Sequence, residues 1–391
     1  MFTPNPYIAG NPVVSDEKLI GRKRLVRDIE RVLEHPSTHA IVLYGQRRIG
    51  KTSVLLHLEH NLLRRHEYLP VYVDVQEYVY ANISVESMLY GIAQKIALQT
   101  HSRLPQKRRF DPQGHFFRDI FVPVILSFGK RRGLVVLFDE FDMLKSHGSS
   151  STYYLVLRSI RDWFNKTNAL QCVFVLGRHP ADLSPDLLAL FKSFPARRIS
   201  LLTQEESLTI VRQSELDGSL AWTEDASKLV WYWTRGHPFF TQLLCCEVWD
   251  ICQSRAEPLR PPPVGVDDVK EALKLALERS DNQFQWLWNS FSSAERLVTA
   301  AIASVSDEYV TREMLRDILT EHKIVLMMRE IELAPENLLR WDILCQANEG
   351  LCFAIPLFRL WVKSEKTLTR VKNESDRFEL PSEQLCHFQE Q

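Results

Sequence analysis

The stretch that decides the fold is residues 40–53, which read Ala-Ile-Val-Leu-Tyr-Gly-Gln-Arg-Arg-Ile-Gly-Lys-Thr-Ser. The first five residues form a short apolar run, which predicts a buried strand. Gly45 and Gly50 follow with four residues between them, and Lys51 and Thr52 come next. Apolar residues then recur at helical spacing as far as residue 65. The sequence therefore predicts a glycine-flanked turn that joins a strand to the N-terminus of a helix.

This turn has the composition of a phosphate-binding loop. Glycines let the backbone wrap closely around phosphate oxygens and direct N–H groups at them, and the helix N-terminus adds its positive end. Lys51 is placed to reach the β- and γ-phosphates, and the Thr52 hydroxyl is placed to coordinate Mg²⁺. The predicted nucleotide-binding residues are Gly45, Gln46, Arg47, Arg48, Ile49, Gly50, Lys51, Thr52 and Ser53. Arg47 and Arg48 have a second interpretation, as contacts to a neighbouring domain or subunit or as solvated side chains.

A second apolar run, residues 134–138, ends in two acidic residues. Asp139 is the candidate to hold the metal, together with Thr52, and Glu140 is the candidate to polarise an attacking water molecule. The alternative is a buried strand that meets a solvated acidic turn, but the upstream loop favours the functional interpretation. Asp142 is predicted to be a turn or capping group.

A third apolar run, residues 172–176, closes with Gly177-Arg178. An arginine at the tip of a strand beside the loop can place its guanidinium near the γ-phosphate. Arg178 is therefore a candidate catalytic residue, with a surface arginine that begins a loop as the equal alternative. The catalytic set predicted from the residues is thus Lys51, Asp139, Glu140 and Arg178.

Short all-apolar strands alternate with helical patterns in the first half of the chain. The predicted strands are residues 40–44, 71–75, 134–138, 172–176 and 198–202. All-apolar strands that alternate with helices are typical of a parallel sheet covered on both faces, so the predicted class is α/β. From residue 204 the pattern becomes helical, prolines at 258 and 261–263 indicate a linker, and a hairpin-like stretch surrounds residues 346–350. Helices followed by such a hairpin suggest a winged helix, and residues 370–391 read as a loose polar tail.

Composition narrows the function classes. The chain has 391 residues, 45% of them hydrophobic, and its 48 Lys and Arg nearly balance 49 Asp and Glu. This balance argues against a generic polyanion binder. We expect no membrane span and no signal peptide, and therefore a cytoplasmic protein. The seven cysteines have no metal-binding spacing and are expected to be reduced thiols.

The chain resembles STAND-class P-loop ATPases, in the branch akin to the archaeal ATPase family and related to AAA+ proteins. The segments that carry this resemblance span roughly residues 5–365. They are the lead-in Asn5-Pro6-Tyr7 to Asn11-Pro12 with Ile20-Gly21-Arg22, the loop with its paired arginines, Leu137-Phe138-Asp139-Glu140, Gly236-His237-Pro238-Phe239-Phe240-Thr241-Gln242-Leu243, and the C-terminal Ile355-Pro356-Leu357-Phe358-Arg359-Leu360-Trp361.

The resemblance implies ATP and Mg²⁺ as cofactors. It places Gly21 and Arg22 near the adenine, and His237 and Pro238 against the nucleotide from a helical lid. The chain departs from AAA+ proteins in two respects: its fourth strand ends in Gly-Arg, and no lid arginine matches unless Arg235 serves. The implied domains are a lead-in near the nucleotide (1–20), a P-loop ATPase core (21–203), a helical lid (204–257), a linker and helix (258–282), a winged-helix-like domain (283–368) and the polar tail (369–391).

Three functions fit these residues. The first is a regulatory, slowly hydrolysing ATPase that acts as a signalling switch, on an effector protein encoded elsewhere or as part of a larger chain. The second is a DNA-associated, origin- or transposon-type ATPase, motivated by the basic runs 107–109 and 130–132 but weakened by the few Lys and Arg between residues 336 and 356. The third is a nucleotide-held scaffold that forms homo-oligomers and does not hydrolyse ATP.

Overall fold

The computed structural model describes eleven stretches of the chain. They are residues 4–13, 19–35, 38–81, 84–144, 156–163, 169–177, 182–255, 261–307, 309–324, 327–347 and 350–378. The chain divides into two compact units. The N-terminal unit is Gly10–Ser200, and the C-terminal unit combines Met1–Ala9 with Leu201–Gln391.

The N-terminal unit is built on a five-stranded sheet in which every pairing is parallel. The strand order is β2-β3-β4-β1-β5. The strands are β1 Ala40–Tyr44, β2 Tyr68–Asp74, β3 Gly133–Asp139, β4 Leu170–Leu176 and β5 Ala196–Arg198. Every residue of β3 and β4 is buried, which requires cover on both faces of the sheet and explains why these strands read as unbroken apolar runs. The predicted α/β class is confirmed.

Helices connect these strands and pack on the sheet. They are Lys23–Glu34, Lys51–Arg65, Val75–Tyr80, Val85–Thr100, Val122–Gly129 and Pro185–Phe191, with a π-helical turn at Phe116–Phe121, a 3₁₀ turn at Lys107–Arg109 and a further helical stretch at residues 156–163. Aromatic rings fill one part of the core. Phe174 stacks on Phe138 with ring centroids 5.4 Å apart and also contacts Phe141 and Phe191.

The C-terminal unit is mostly helical, as predicted. Its helices are Gln204–Val211, Gln213–Leu216, Glu224–Thr234, Pro238–Ser254, Val266–Asn289, Ser293–Ser304, Arg312–Glu321, Met328–Arg340, Pro356–Glu365 and Leu368–Phe378. The helix Ser293–Ser304 lies at the centre of the later helices and packs against four of them, those that begin at residues 312, 328, 356 and 368. None of the helices in the described parts of the chain combines the length and the apolar character that a membrane crossing requires.

The predicted hairpin is present near the end of this unit. Strands β8, Leu344–Ala347, and β9, Gly350–Phe353, pair antiparallel. Val310 adds a single antiparallel bridge to Leu351 on the other side of β9. The strands lie closer to the turn than expected, because Gln346, Ala347 and Gly350 belong to the ladder.

Three sequence expectations need correction. The fifth strand lies at 196–198, not 198–202. Two short strands follow residue 204. Strand β6, Ala221–Trp222, pairs with β7, Pro263–Val264, so strand pairing fixes part of the proline-rich linker.

Residues 370–378 are not loose, because they belong to the helix Leu368–Phe378, which buries Leu368 and Val371. Burial of each such side chain contributes roughly 1.5–3 kcal/mol to the free energy of folding. Residues 379–391 lie outside the described stretches.

The N-terminal lead-in packs in the C-terminal unit. The Tyr7 ring is buried there, and its hydroxyl shares a 2.7 Å hydrogen bond with Ser214 Oγ and accepts one from Trp222 Nε1. Asn5 Nδ2 donates to Asp250 Oδ1 over 3.1 Å. This segment therefore closes part of the helical core; its predicted position near a nucleotide stays a prediction.

The aromatic cluster of the sheet leads to a test of stability. Phe174→Ala is expected to lower the free energy of unfolding by about 3–5 kcal/mol, because Phe174 is fully buried and its loss leaves a cavity. Phe128→Ala is the matched control, since the Phe128 ring is 86% exposed. Urea unfolding monitored by circular dichroism measures both changes. Equal effects of the two substitutions would contradict this view of the core.

Candidate functional site

The predicted phosphate loop lies at the carboxyl end of β1. Gly50 is the N-cap of the helix Lys51–Arg65 and has a φ of +97°, a left-handed conformation that glycine adopts without cost. A Cβ at this position would meet no atom within 4 Å, so backbone conformation rather than space requires glycine here. The Lys51 side chain is buried in the loop, and its Nζ donates to Gly45 O over 3.2 Å and to Gln46 O over 3.1 Å. The ammonium group thus lies inside the curve of the backbone.

Gly45 is required for a different reason. An added Cβ would lie 2.4 Å from the carbonyl oxygen of Ile199, a backbone atom that cannot move aside. Ile199 N donates to Tyr44 O over 2.7 Å, which holds the segment after β5 against the start of the loop. Close packing of two backbones therefore fixes where the loop begins.

The Thr52 hydroxyl and the Asp139 carboxylate are in direct contact. Thr52 Oγ1 donates to Asp139 Oδ2 over 2.6 Å, and the Tyr72 hydroxyl donates to the same oxygen over 3.1 Å. Burial and the charge of Asp139 raise the pKa of Tyr72, so its hydroxyl remains a donor. Sequence reasoning missed Tyr72, because its approach to Asp139 depends on the pairing of β2 with β3, which no local pattern shows.

Glu140 lies beside the Lys51 ammonium. Its Oε1 is 3.9 Å from Lys51 Nζ, and its own backbone adopts a φ of +48°. A non-glycine residue in this region is uncommon and costs free energy unless its surroundings hold it there. Burial raises the pKa of the Glu140 carboxyl, while Lys51 acts in the opposite direction. A carboxylate held between burial and an ammonium is suited to accept a proton.

Gly177 leaves space for this carboxylate. A Cβ on Gly177 would lie 2.7 Å from Glu140 Oε2. Asp142 Oδ1 accepts a 2.8 Å hydrogen bond from Gly177 N, so it contacts the end of β4, while its predicted role as a turn or capping group stays a prediction. Arg178, the predicted γ-phosphate sensor, lies outside the described residues.

The Arg22 side chain supports the phosphate loop through hydrogen bonds to backbone carbonyls. The Arg22 side chain is buried, and its Nη2 donates to Ile49 O over 3.1 Å and to Ser200 O over 2.8 Å. These contacts hold the loop to the chain after β5. Gly21, predicted to lie beside the adenine with Arg22, has a φ of +75°. Adenine contact by either residue stays a prediction.

The remaining loop residues have local contacts. Arg48 has a φ of +60°, and its Nη1 donates to Gly10 O over 3.4 Å. Burial, and then the charge of Arg47, lower the pKa of Arg48. Ser53 Oγ accepts from Val13 N over 3.0 Å.

His237 and Pro238 belong to the C-terminal unit. His237 is buried, caps the helix Pro238–Ser254 and lies with its ring 4.5 Å from that of Phe240. Gly236 has a φ of +77°, and a Cβ there would lie 2.3 Å from Leu202 O. The backbone at Gly236 thus passes close to the backbone of Leu202 within the C-terminal unit. Contact of His237 or Pro238 with a nucleotide stays a prediction.

The donor set of the loop fits magnesium. Hydroxyl and carboxylate oxygens are the ligands that Mg²⁺ prefers, and the ion is usually held by one or two protein groups, with phosphates and waters completing its shell. Thr52 and Asp139 supply one such oxygen each, 2.6 Å apart. Among the described residues, no group of three or more His, Cys, Asp or Glu side chains forms a metal cluster.

A glycine-flanked loop between β1 and a helix, with an acidic strand end beside it in a parallel sheet, defines the P-loop nucleoside triphosphatase fold. Residues 19–177 match the model of a family described as "ATPase domain predominantly from Archaea". This match includes the loop, the acidic pair and Gly177. Comparison with the curated proteins found no match.

Comparison with solved structures found several similar chains. The Walker-type ATPase Paby2304 of Pyrococcus abyssi superposes with a TM-score of 0.66 at 14% identity, over 90% of this chain and 99% of that chain. The Thermotoga maritima RuvB Holliday junction branch migration motor gives a TM-score of 0.47 at 14% identity, over 87% of this chain and 94% of that one. The Aeropyrum pernix ORC1 protein in complex with DNA gives a TM-score of 0.47 at 16% identity, over 92% of this chain and 96% of that chain. The first of these likenesses shows the fold of the chain.

The space beside Glu140 leads to a mutational test. Gly177→Ala is expected to displace the Glu140 carboxylate, because the new Cβ would approach Oε2 to 2.7 Å. At a catalytic group a misplacement of this size slows the reaction roughly tenfold or more, so any hydrolysis of ATP by the chain is expected to slow by that factor. Phosphate release in the presence of Mg²⁺ measures the effect. Gly265→Ala is the control, because its Cβ would meet only Asp268 Oδ2 at 3.6 Å; equal rates in both variants would contradict the assigned geometry.

Proposed function

We propose that the N-terminal unit binds ATP with Mg²⁺ and hydrolyses the bond between the β- and γ-phosphates. The observation that carries the proposal is the 2.6 Å hydrogen bond between Thr52 and Asp139, next to an ammonium enclosed by the loop. It joins the two elements that such an enzyme needs, the phosphate loop and the acidic end of a neighbouring strand. The match of residues 19–177 to an ATPase domain supports the same activity.

Each residue has a distinct role in this proposal. Lys51 exchanges its bonds to the loop carbonyls for phosphate oxygens, and Thr52 and Asp139 hold the magnesium ion, whose charge offsets that of the phosphates when it is bound. Glu140 accepts a proton from the attacking water. Tyr72 fixes the orientation of the Asp139 carboxylate through its 3.1 Å hydrogen bond. Arg178 remains the proposed γ-phosphate sensor.

We propose further that the chain is a nucleotide-dependent regulatory switch with a C-terminal winged helix. Support for the winged helix comes from the order of elements: the helix Ser293–Ser304, the bridge residue Val310, the helices Arg312–Glu321 and Met328–Arg340, and then the β8–β9 hairpin. The partners in this proposal are ATP and ADP, an effector protein and further copies of the chain, in the cytoplasm.

The DNA-associated alternative has weaker support. Residues 309–355 contain five Lys or Arg against eight Asp or Glu, a formal charge of −3 that repels a phosphate backbone. In the basic run 130–132, Arg131 donates to Tyr68 O and Arg132 pairs with Glu67 at 3.6 Å. The run 107–109 is an exposed 3₁₀ turn. A regulatory ATPase is therefore the preferred function.

Loss of the two central charges tests the proposed activity. Lys51→Ala and Glu140→Gln are each expected to reduce phosphate release at least 100-fold, since a general base alone contributes about 10²–10⁴. Glu140→Gln should retain ATP binding by calorimetry, because it keeps the size of the side chain and leaves the loop intact. Lys192→Ala, which removes an exposed lysine, should match the wild type. Unchanged hydrolysis in both active-site variants would overturn the enzymatic proposal.

The alternative is tested by DNA binding at low salt. The wild-type chain with ATP and Mg²⁺ is expected to leave a fluorescent duplex unbound at 50 mM salt, where electrostatic binding is strongest. Fluorescence anisotropy is the measurement. Saturable binding that weakens steeply with added salt would favour the DNA-associated function over the switch.

A further inference from the structure

Two cysteines lie directly opposite each other on the β8–β9 hairpin. Cys345 pairs with Cys352 in the antiparallel register. Leu351 gives its N–H and C=O to Val310 on the other side of β9, over 2.9 and 2.8 Å. Successive residues of an antiparallel strand alternate in direction, so the next residue, Cys352, directs its backbone groups at β8. Cys345 and Cys352 are therefore a hydrogen-bonded pair.

This pairing has the spacing of a disulfide. The Cα atoms of such a pair lie about 5.5 Å apart, inside the range of about 4.4–6.8 Å that disulfides need. The thiols are also close, because Cys352 Sγ donates to Cys345 O over 3.5 Å. Both cysteines are half-buried, so small reagents reach them. A bond between the two sulfurs draws the Cβ atoms of this pair, which lie about 4.5–5.5 Å apart in a sheet, towards the roughly 3.5–4.5 Å that a disulfide prefers.

The surroundings favour the thiolate form of Cys352. Its side chain lines a cavity of about 280 Å³ whose wall also carries Arg235, Arg359 and Lys363. Arg359 is held in place by hydrogen bonds from its Nη2 to Val305 O and Asp307 O. A hydrogen bond from the Cys345 thiol, and then the charges of Arg235 and Arg359, lower the pKa of Cys352 to about 7 against the effect of burial. The same hydrogen bond raises the pKa of Cys345.

The other described cysteines have the opposite surroundings. Cys172 and Cys245 are fully buried, which raises the pKa of each thiol. Cys246 is half-buried, and burial together with the charges of Asp250 and Glu247 raises its pKa. Cys246 is thus a matched reference with similar access and a less reactive thiol.

We propose that Cys345 and Cys352 are a redox-active dithiol that a hydroperoxide converts to an intrachain disulfide. The Cys352 thiolate attacks the hydroperoxide oxygen, an S–O bond forms, the O–O bond breaks, and the departing alkoxide takes a proton to leave as an alcohol. The Cys345 thiol then loses its proton and attacks the Cys352 sulfur, and hydroxide leaves and becomes water. Two thiols are oxidised by two electrons, and the hydroperoxide is reduced to an alcohol and water.

The first measurement uses the unaltered full-length chain. Iodoacetamide at pH 7 is expected to alkylate Cys352 roughly fivefold or more faster than Cys246, since the larger thiolate fraction outweighs the lower intrinsic nucleophilicity. Addition of tert-butyl hydroperoxide should remove two hydrogen atoms from the tryptic peptide Trp341–Arg359, which contains both cysteines. Peptide mass spectrometry reads both results. Equal alkylation of the two residues, or a peptide that keeps both thiols while Cys246 is oxidised, would overturn the proposal.

Variants then separate the roles of the two sulfurs. Cys345→Ser is expected to accumulate a sulfenic acid on Cys352 that dimedone traps, because the resolving thiol is absent. Cys352→Ser should give neither the adduct nor the disulfide, and Cys246→Ser should form the disulfide as the wild type does. A dimedone adduct on Cys345 in the Cys352→Ser variant, at the rate seen for Cys352, would contradict the assignment of the attacking thiol. ATP hydrolysis is not part of any readout, so these results are independent of the proposed ATPase.

Discussion

The hydrogen bond between Thr52 and Asp139 spans a distance that the sheet itself creates. β4 lies between β1 and β3, and neighbouring strands are about 4.8 Å apart, so the ends of β1 and β3 are separated by roughly 10 Å. The helix Lys51–Arg65 packs against β2 and β3, so the chain crosses this gap between the end of β1 and the start of that helix. Thr52 then reaches Asp139 at 2.6 Å. Strand order, loop length and site geometry therefore depend on one another.

Unusual backbone conformations concentrate at this same edge of the sheet. Arg48, Gly50 and Glu140 all have positive φ, and for the two non-glycine residues each such conformation costs of order 1–3 kcal/mol. The neighbouring contacts offset this cost: Arg22 binds the loop from behind, and Gly177 leaves room for the Glu140 carboxylate. A loop held in this way is pre-organised, so less ordering is needed when an anion binds.

The elements that the sequence predicted correctly are those that depend on local patterns of residues. Apolar runs gave four of the five strands of the large sheet and the β8–β9 hairpin, because buried strands and turn residues leave a short-range signal. The strand β5 has three exposed residues and no such signal, and its limits were wrong. Strand order is a long-range property, so nothing local showed that β4 separates the loop from the acidic pair. The contact of Tyr72 with Asp139 follows only once β2 and β3 are known to pair.

Long-range packing also explains the other differences. The polar sequence after residue 368 reads as a tail, yet Leu368 and Val371 are buried in a helix that packs against the helix Ser293–Ser304. Tyr7 lies in a segment of Asn, Pro and Gly, and its burial depends on Ser214 and Trp222, two hundred residues away in the sequence. In both cases a few apolar side chains are buried against residues that are distant in the sequence, so local patterns do not predict their burial.

The same reasoning explains why the cysteines of this chain differ in chemistry. Composition alone treats them as equivalent reduced thiols, because none has a motif. Folding buries Cys172 in the sheet and Cys245 in a helix, where a thiolate would be desolvated. It places Cys352 opposite a second thiol and beside two arginines, where a thiolate is stabilised. The reactivity proposed for Cys352 thus follows from strand register and from side chains distant in sequence. The roles proposed for Asp139 and Glu140 follow in the same way from the order of the strands.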